Sequence, residues 1–251
     1  MELSLKNKVA LVTGGGAGLG KACALAFARA GAQVAICDVN EESLAQSVKA
    51  IQKEGVASIG VACDVSDASS VKAFFDRVEE ALGPVDVTLN NAGVAAPLTL
   101  LADTTEADFE RVMSINLKGT WLGMRESLRR MLPRGQGTII NMASAMSKKS
   151  YPGSGFYTTS KFAVAGMTRN TAVEYADKGI RINAICPGNI LTPLLKQSVS
   201  EEVQAQLAAA HPMKRLGEVD EIANCAVFLA SDASSFMTGA LLSVDGGWTA
   251  L

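Results

Sequence analysis

Short apolar runs alternate with longer amphipathic ones along the chain. The runs at 9–12, 34–37, 59–63, 85–89, 138–142, 180–186 and 241–244 are rich in β-branched residues and stop at Gly, Asp, Asn or Pro. Their lengths and stops predict fully buried parallel strands. Between them the pattern predicts helices over 19–30, 41–53, 71–81, 105–131, 156–175 and 218–229. Start and stop residues bound several of these: Ser66-Asp67 before the third, Thr104 or Thr105 before the fourth, and Gly31, Gly55, Gly83 and Gly179 after others. Strict β-α alternation, with no linker, repeat or composition break, predicts one α/β domain over 1–251. Its core should be a doubly wound parallel sheet of about seven strands with helices on both faces.

Composition narrows the function. Of 251 residues, 48% are hydrophobic and 19% charged, which supports an ordered core. Lys and Arg total 23 against 25 Asp and Glu, and aromatics reach only 5%, so a nucleic acid is not an expected partner. The five cysteines include no C-x-x-C pair and His211 is the only histidine, so no metal site is expected. An odd number of scattered cysteines reads as reduced, mostly buried thiols in a cytoplasmic protein. The first eight residues lack a hydrophobic signal region and no uncharged apolar run reaches about 18 residues, so neither secretion nor a membrane span is expected.

The first strand runs into Thr13-Gly14-Gly15-Gly16-Ala17-Gly18-Leu19-Gly20 and then a helix. Glycines there allow a tight turn and close approach of a pyrophosphate, whose charge suits the helix N-terminus. Gly14, Gly18, Leu19 and Gly20 are therefore candidate nucleotide-binding residues in a Rossmann-like fold. Asp38 ends the second strand, where a carboxylate can accept from the adenosine ribose hydroxyls and repel a 2′-phosphate. Val39 and Ala17 offer no cation for that phosphate, which favours NAD over NADP. The alternative for Asp38 is an acid at the start of the helix from Glu41.

In order along the chain stand Thr13-Gly14-x-x-x-Gly18-x-Gly20, Asn90-Asn91-Ala92-Gly93, Asn116, Ser144, Tyr157-x-x-x-Lys161 and Pro187-Gly188. The set resembles the short-chain dehydrogenase/reductase family, in its branch of chains of this length, over essentially the whole sequence. Chemistry gives an independent reason for part of it. Tyr157 and Lys161 share one helix face, and an ammonium beside a phenol lowers its pKa, so that Tyr157 can take a proton from an alcohol as hydride leaves the same carbon. A surface pair is the alternative reading of that spacing alone. Ser144, at a strand end, can hold the substrate oxygen; its alternative is an ordinary turn serine.

The resemblance implies further roles. Lys161 also holds the nicotinamide ribose. Asn116 distorts its helix and holds a water that connects Lys161 to solvent, although a buried amide tying neighbouring elements would fit equally well. Asp64 and Val65 meet the adenine; Asn91, Ala92 and Gly93 lie beside the cofactor, with a structural role as the alternative for Asn91. Pro187, Gly188, Ile190 and Thr192 read the nicotinamide carboxamide, and Thr192 can also cap a helix opened by Pro193. The activity implied is NAD-dependent interconversion of a secondary alcohol and its ketone. A 3-oxoacyl-[acyl-carrier-protein] reductase is the alternative; such reductases commonly use NADPH, and Asp38 counts against it. An intact proton relay argues against a binder that lost its chemistry.

A substrate lid is expected over about 189–213. Ser144 and Tyr157 would meet substrate together with Met146, Tyr151, Leu191 and Leu195. Pro152, Phe156, Leu194 and Met213 extend an apolar lining that suits a hydrophobic, even cyclic, substrate. His211 is expected at the surface or an interface. Lys148-Lys149 is expected in solvent, with an anionic substrate group as the alternative. Apolar residues such as Trp121, Phe162 and Met167 on the outer faces of the two long helices, and the apolar C-terminus, predict a homotetramer with two-fold axes.

Overall fold

The computed structural model describes residues 3–95 and 98–251, apart from the side chains of residues 194, 197 and 198. Among these, β1 (Val9–Thr13), β2 (Gln33–Asp38), β3 (Ser58–Ala62), β4 (Val87–Asn90), β5 (Gly137–Met142), β6 (Ile180–Pro187) and β7 (Leu241–Val244) form one sheet. The helices are α1 (Gly18–Arg29), α2 (Glu41–Gln52), α3 (Ala68–Leu82), α4 (Glu106–Val112), α5 (Gly119–Met131), α6 (Gly155–Tyr175), α7 (Pro193–Ser198), α8 (Glu201–Ala209) and α9 (Val219–Ala230). The strand order is β3-β2-β1-β4-β5-β6-β7, and every neighbouring pair is parallel. This is a Rossmann-like doubly wound sheet. The winding reverses at β1, which lies between β2 and β4, and there the carboxyl ends of the strands open a crevice.

Both sheet faces are covered, which explains why the strands read as unbroken apolar runs. Ala10, Val12, Val34 and Ile36 pack with Phe27 of α1 and with Ile222 and Leu229 of α9. Val9, Leu11, Ala35 and Cys37 face the other way, onto Phe74 and Phe75 of α3 and Leu122 and Met131 of α5. Phe27, Phe74 and Phe75 are fully buried, each worth about 1.5–3 kcal/mol in transfer from water. Expected caps are in place: Asp67 accepts from Ser69 N–H at 2.9 Å, and Thr105 accepts from Asp108 N–H at 3.1 Å.

Some boundaries differ from expectation. β4 starts at Val87, two residues after the expected start; just before it the Asp86 carboxylate accepts from Val9 N–H at 3.0 Å and pairs with Arg134. The expected helix over 105–131 is two helices, α4 and α5, joined by a wider π turn over Met113–Lys118. Helix α8 had no counterpart in the sequence reading. It starts at Ser200, whose hydroxyl accepts from Val203 N–H at 3.4 Å, and carries Glu201 and Glu202 in its first turn. Among the described residues no helix is long and apolar enough to cross a membrane.

Candidate active site

The crevice holds a cleft of about 460 Å³. The glycine loop forms its floor. Gly14 sits at φ +65°, a conformation costly for any side chain, and a Cβ on Gly20 would stand 2.0 Å from the Gly14 carbonyl oxygen. Ala17 has no side chain that can cap α1, so the leading N–H groups of that helix remain available to an anion. Asn91 fixes the loop from the neighbouring strand. Its Nδ2 donates to the carbonyls of Thr13 (2.9 Å) and Gly14 (3.2 Å), while Thr13 Oγ1 accepts from Asn91 N–H and Ala92 N–H. These bonds give Asn91 the structural role.

Asp38 lines the cleft. Its carboxylate accepts from Gly16 N–H at 3.0 Å and Asn40 N–H at 3.1 Å. It does not cap α2; Asn40 does, accepting from Ser43 N–H at 2.9 Å. A glycine cradle closed to side chains, an open helix N-terminus and a carboxylate at the tip of β2 together fit a dinucleotide.

Ser144 follows β5 and is buried. Its hydroxyl accepts from Met146 N–H at 3.1 Å. Tyr157 and Lys161 both come from α6. The Lys161 Nζ is 5.6 Å from the centre of the Tyr157 ring and donates to the Met142 carbonyl at 2.8 Å. Burial lowers Lys161 from 10.5 to about 8. The expected lowering of Tyr157 is not what the fold produces: burial pushes the phenol up, and the neighbouring Ser144 hydroxyl opposes this only in part. The ammonium is turned toward the Met142 carbonyl, and the low polarity around the ring outweighs it.

Asn116 lies in the π turn, completely buried. Its Oδ1 accepts from Val94 N–H at 2.8 Å, and its Nδ2 donates to the Val94 carbonyl at 2.9 Å and to Ser160 Oγ at 3.2 Å. The helix is distorted where the resemblance implied, and the side chain ties α6 to the loop after β4.

Gly14, Gly18, Leu19, Gly20, Asp38, Asn91, Ala92, Gly93, Ser144, Tyr157, Lys161, Pro187, Gly188, Ile190 and Thr192 all line this one cleft. Thr192 also caps α7, accepting from Leu195 N–H at 3.1 Å. Asp64 and Val65 lie outside the lining: Asp64 is exposed and accepts from Ser66, and Val65 is buried against Gly119. Met146, Tyr151, Leu191 and Leu195 are likewise outside it. The Leu194 side chain falls outside the described residues. Phe156 instead packs edge-on against Phe109, 5.3 Å between ring centres. The sequence reading missed Met142, Ala143, Val94 and Ala95, which line the cleft, and the exposed Leu98, Leu100 and Leu101. The last three follow the cofactor loop as an apolar cluster, a signal that was there to find; Thr99 N–H donates to the Gly153 carbonyl at 2.9 Å.

One residue is placed differently from expectation. His211 is buried, at 2% exposure, rather than at the surface. Both ring nitrogens have backbone partners and Gly188 leaves room for the ring. Lys148 is exposed, as expected, and Lys149 is half-buried; Lys148 donates to the Leu241 carbonyl and Ser243 Oγ, and Lys149 to the Trp248 carbonyl.

A family model described as enoyl-(acyl carrier protein) reductase matches residues 14–249. The chain is 37% identical to 2-(S)-hydroxypropyl-CoM dehydrogenase 3 of Xanthobacter autotrophicus, with 100% of each chain covered. It is 41% identical to cis-4-hydroxycyclohexanecarboxylate dehydrogenase of Sinomonas cyclohexanicum, again over 100% of each. The crystal structure of a gluconate 5-dehydrogenase from Burkholderia cenocepacia J2315, in complex with NADP and tartrate, matches with a TM-score of 0.93. Identity is 34%, over 100% of this chain and 98% of that one. Likeness of this length and degree leads to one conclusion: the chain belongs to the short-chain dehydrogenase/reductase family and is an oxidoreductase acting on hydroxyl-bearing carbon.

Proposed function

We propose that this protein is a NAD-dependent dehydrogenase that interconverts a secondary alcohol and its ketone, with Tyr157 as general acid/base. The observation that carries this reading is that Ser144, Tyr157 and Lys161 line the same cleft as the glycine loop and Asp38. Bound nicotinamide would supply the hydride acceptor. Ser144 holds the alcohol oxygen against Tyr157, which takes its proton. Lys161, with a pKa of about 8, is largely cationic at pH 7 and steadies the phenolate as it forms. It also holds the nicotinamide ribose. Asn116 keeps the Val94 loop in place and holds the water that links Lys161 to solvent. Asp64 and Val65 meet the adenine from the edge of the cleft, and Ile190 and Thr192 meet the carboxamide.

Asp38 sets the cofactor. Its carboxylate would repel a 2′-phosphate, and neither Val39 nor Ala17 offers a cation to offset this. The gluconate 5-dehydrogenase structure holds NADP, so the preference rests on these residues of the present chain. The substrate is a hydrophobic secondary alcohol, met by the lid over 189–213 with Met146, Tyr151, Leu191 and Leu195. The relative acting on a hydroxycyclohexane carboxylate supports a ring. Free, mostly buried thiols suit a cytoplasmic setting.

The test is purified protein with NAD or NADP and a panel of aliphatic and cyclic secondary alcohols, read by the absorbance of reduced nicotinamide. A 3-oxoacyl thioester, offered with NADH or NADPH as the hydride donor, belongs in the panel, because the family model's description names a carrier-protein reductase. Reduction of NAD with at least about tenfold preference over NADP, about 1.4 kcal/mol, is expected; turnover of the thioester alone would overturn the reading. The assembly is a homotetramer. Trp121, Phe162 and Val173 are 44%, 46% and 82% exposed on α5 and α6, surface that suits a second copy. A solution mass near 26.1 kDa by light scattering would rule this out.

A further inference from the structure

His211 bridges helix α8 and the 189–191 segment. Its Nδ1 lies 2.8 Å from the carbonyl of Leu207, on lid helix α8. Its Nε2 lies 3.2 Å from the N–H of Asn189. An N–H can only donate and a carbonyl can only accept, so these partners assign the proton to Nδ1. Asn189 stands between Gly188 and Ile190, both lining the cleft. Gly188 leaves space for the ring, and Gly246 lies in contact with it. A Cβ on Gly188 would stand 2.8 Å from Nε2, and one on Gly246 would stand 3.5 Å from Cδ2. Trp248 covers the ring, with centroids 5.5 Å apart. The 189–191 strap has one other backbone anchor. Leu191 N–H donates to the Gly217 carbonyl at 2.8 Å, and Gly217 N–H donates to the Asn189 carbonyl at 3.0 Å.

We propose that His211 is a positioning residue that couples the substrate lid to the segment holding the nicotinamide. This rests on the cofactor reading above. Filling space would require only the shape of the ring. Coupling requires two nitrogens of opposite polarity, one toward each segment. Phenylalanine keeps the shape and loses both bonds. Glutamine can place an acceptor where Nε2 stands, and asparagine a donor where Nδ1 stands.

The experiment compares His211→Phe, His211→Gln and His211→Asn with the wild type in the full chain. It measures NADH affinity by calorimetry, substrate KM and kcat, and hydrogen exchange at the 189–191 amides. His211→Phe should weaken NADH binding and raise substrate KM, each by about tenfold, the usual effect of a buried group left unpaired, with kcat changed far less. His211→Gln should restore NADH affinity and leave KM raised. His211→Asn should do the reverse. NADH affinity equal to wild type in His211→Phe, or indistinguishable behaviour of the Gln and Asn variants, would overturn the proposal. If His211→Phe does not fold, the Gln and Asn pair decides alone. If the wild type binds neither dinucleotide, the cofactor reading fails on its own. Exchange then decides the coupling: protection at 189–191 should be higher in His211→Gln than in His211→Asn, and equal protection overturns it.

Discussion

Helices α1, which lines the cleft, and α8, in the segment proposed as the lid, are held in different ways. α1 buries Gly20, Cys23, Ala24, Phe27 and Ala28, and Phe27 reaches the core shared with α9. All nine residues of α8 are described and none is buried. A nine-residue helix is marginal by itself, so α8 depends on Ser200, its acidic first turn and the anchor at His211. The nucleotide half of the cleft is thus made by the core and stands ready. Helix α8, in the segment proposed as the lid, is attached at points, so its displacement would disturb little packing.

The largest effect should come from Tyr157→Phe, which touches neither half's framework. Turnover should fall by at least about a hundredfold, the low end for a general acid/base, while NADH binding stays near wild type. Because burial holds the Tyr157 phenol above its ordinary value, kcat/KM for alcohol oxidation should climb with pH through the alkaline range and ketone reduction should fall. A flat profile, or an active variant, would remove Tyr157 from the chemistry.

Lys161→Met tests whether the preformed half carries a stability cost. With its pKa brought from 10.5 down to about 8, the buried ammonium is destabilising at every pH below about 8. That cost is relieved between about 8 and 10.5, where the unfolded chain still holds a proton the folded chain has lost. The variant should be inactive yet more stable than wild type at pH 7 by about 1–3 kcal/mol, with the gap closing towards pH 10 in urea melts. Lower stability at pH 7 would show that the bond to the Met142 carbonyl outweighs burial.

Asp38→Ala combined with Val39→Arg should move the cofactor preference towards NADP by about tenfold, about 1.4 kcal/mol, in steady-state assays, with little change in substrate KM. The smallest effect belongs to the lid. Ser200→Ala removes the α8 cap, worth about 0.5–2 kcal/mol locally. It should raise substrate KM a few-fold and leave the global melting temperature unchanged. A clear drop in melting temperature would mean that the lid is part of the cooperative core after all.

The same contrast explains what could be read from sequence. Strands such as 9–12 and 34–37 are apolar because both sheet faces are covered, and that pattern is local. The glycine loop is legible because Gly20 has to clear the backbone of Gly14, only six positions away. α8 left no such trace, since no residue of it has to be apolar. The burial of His211 is hidden for a related reason: Gly188, 23 positions away, leaves room for the ring, and a polar side chain gives no sign of that. The effect of Lys161 on Tyr157 was misjudged because spacing on α6 places the two side chains on one face but does not show that the ammonium is bonded to the Met142 carbonyl.

Trp248 has an optical consequence. Its indole lies against the His211 imidazole on one side and has the Lys149 ammonium 5.9 Å from its ring centre. Trp121, the other tryptophan, is 44% exposed on α5. In a Trp121→Phe background the chain would have a single tryptophan, excited selectively near the red edge of the absorption, placed at the joint between the proposed lid and the cofactor strap. Its fluorescence would report movement of that joint in real time, with no dye attached.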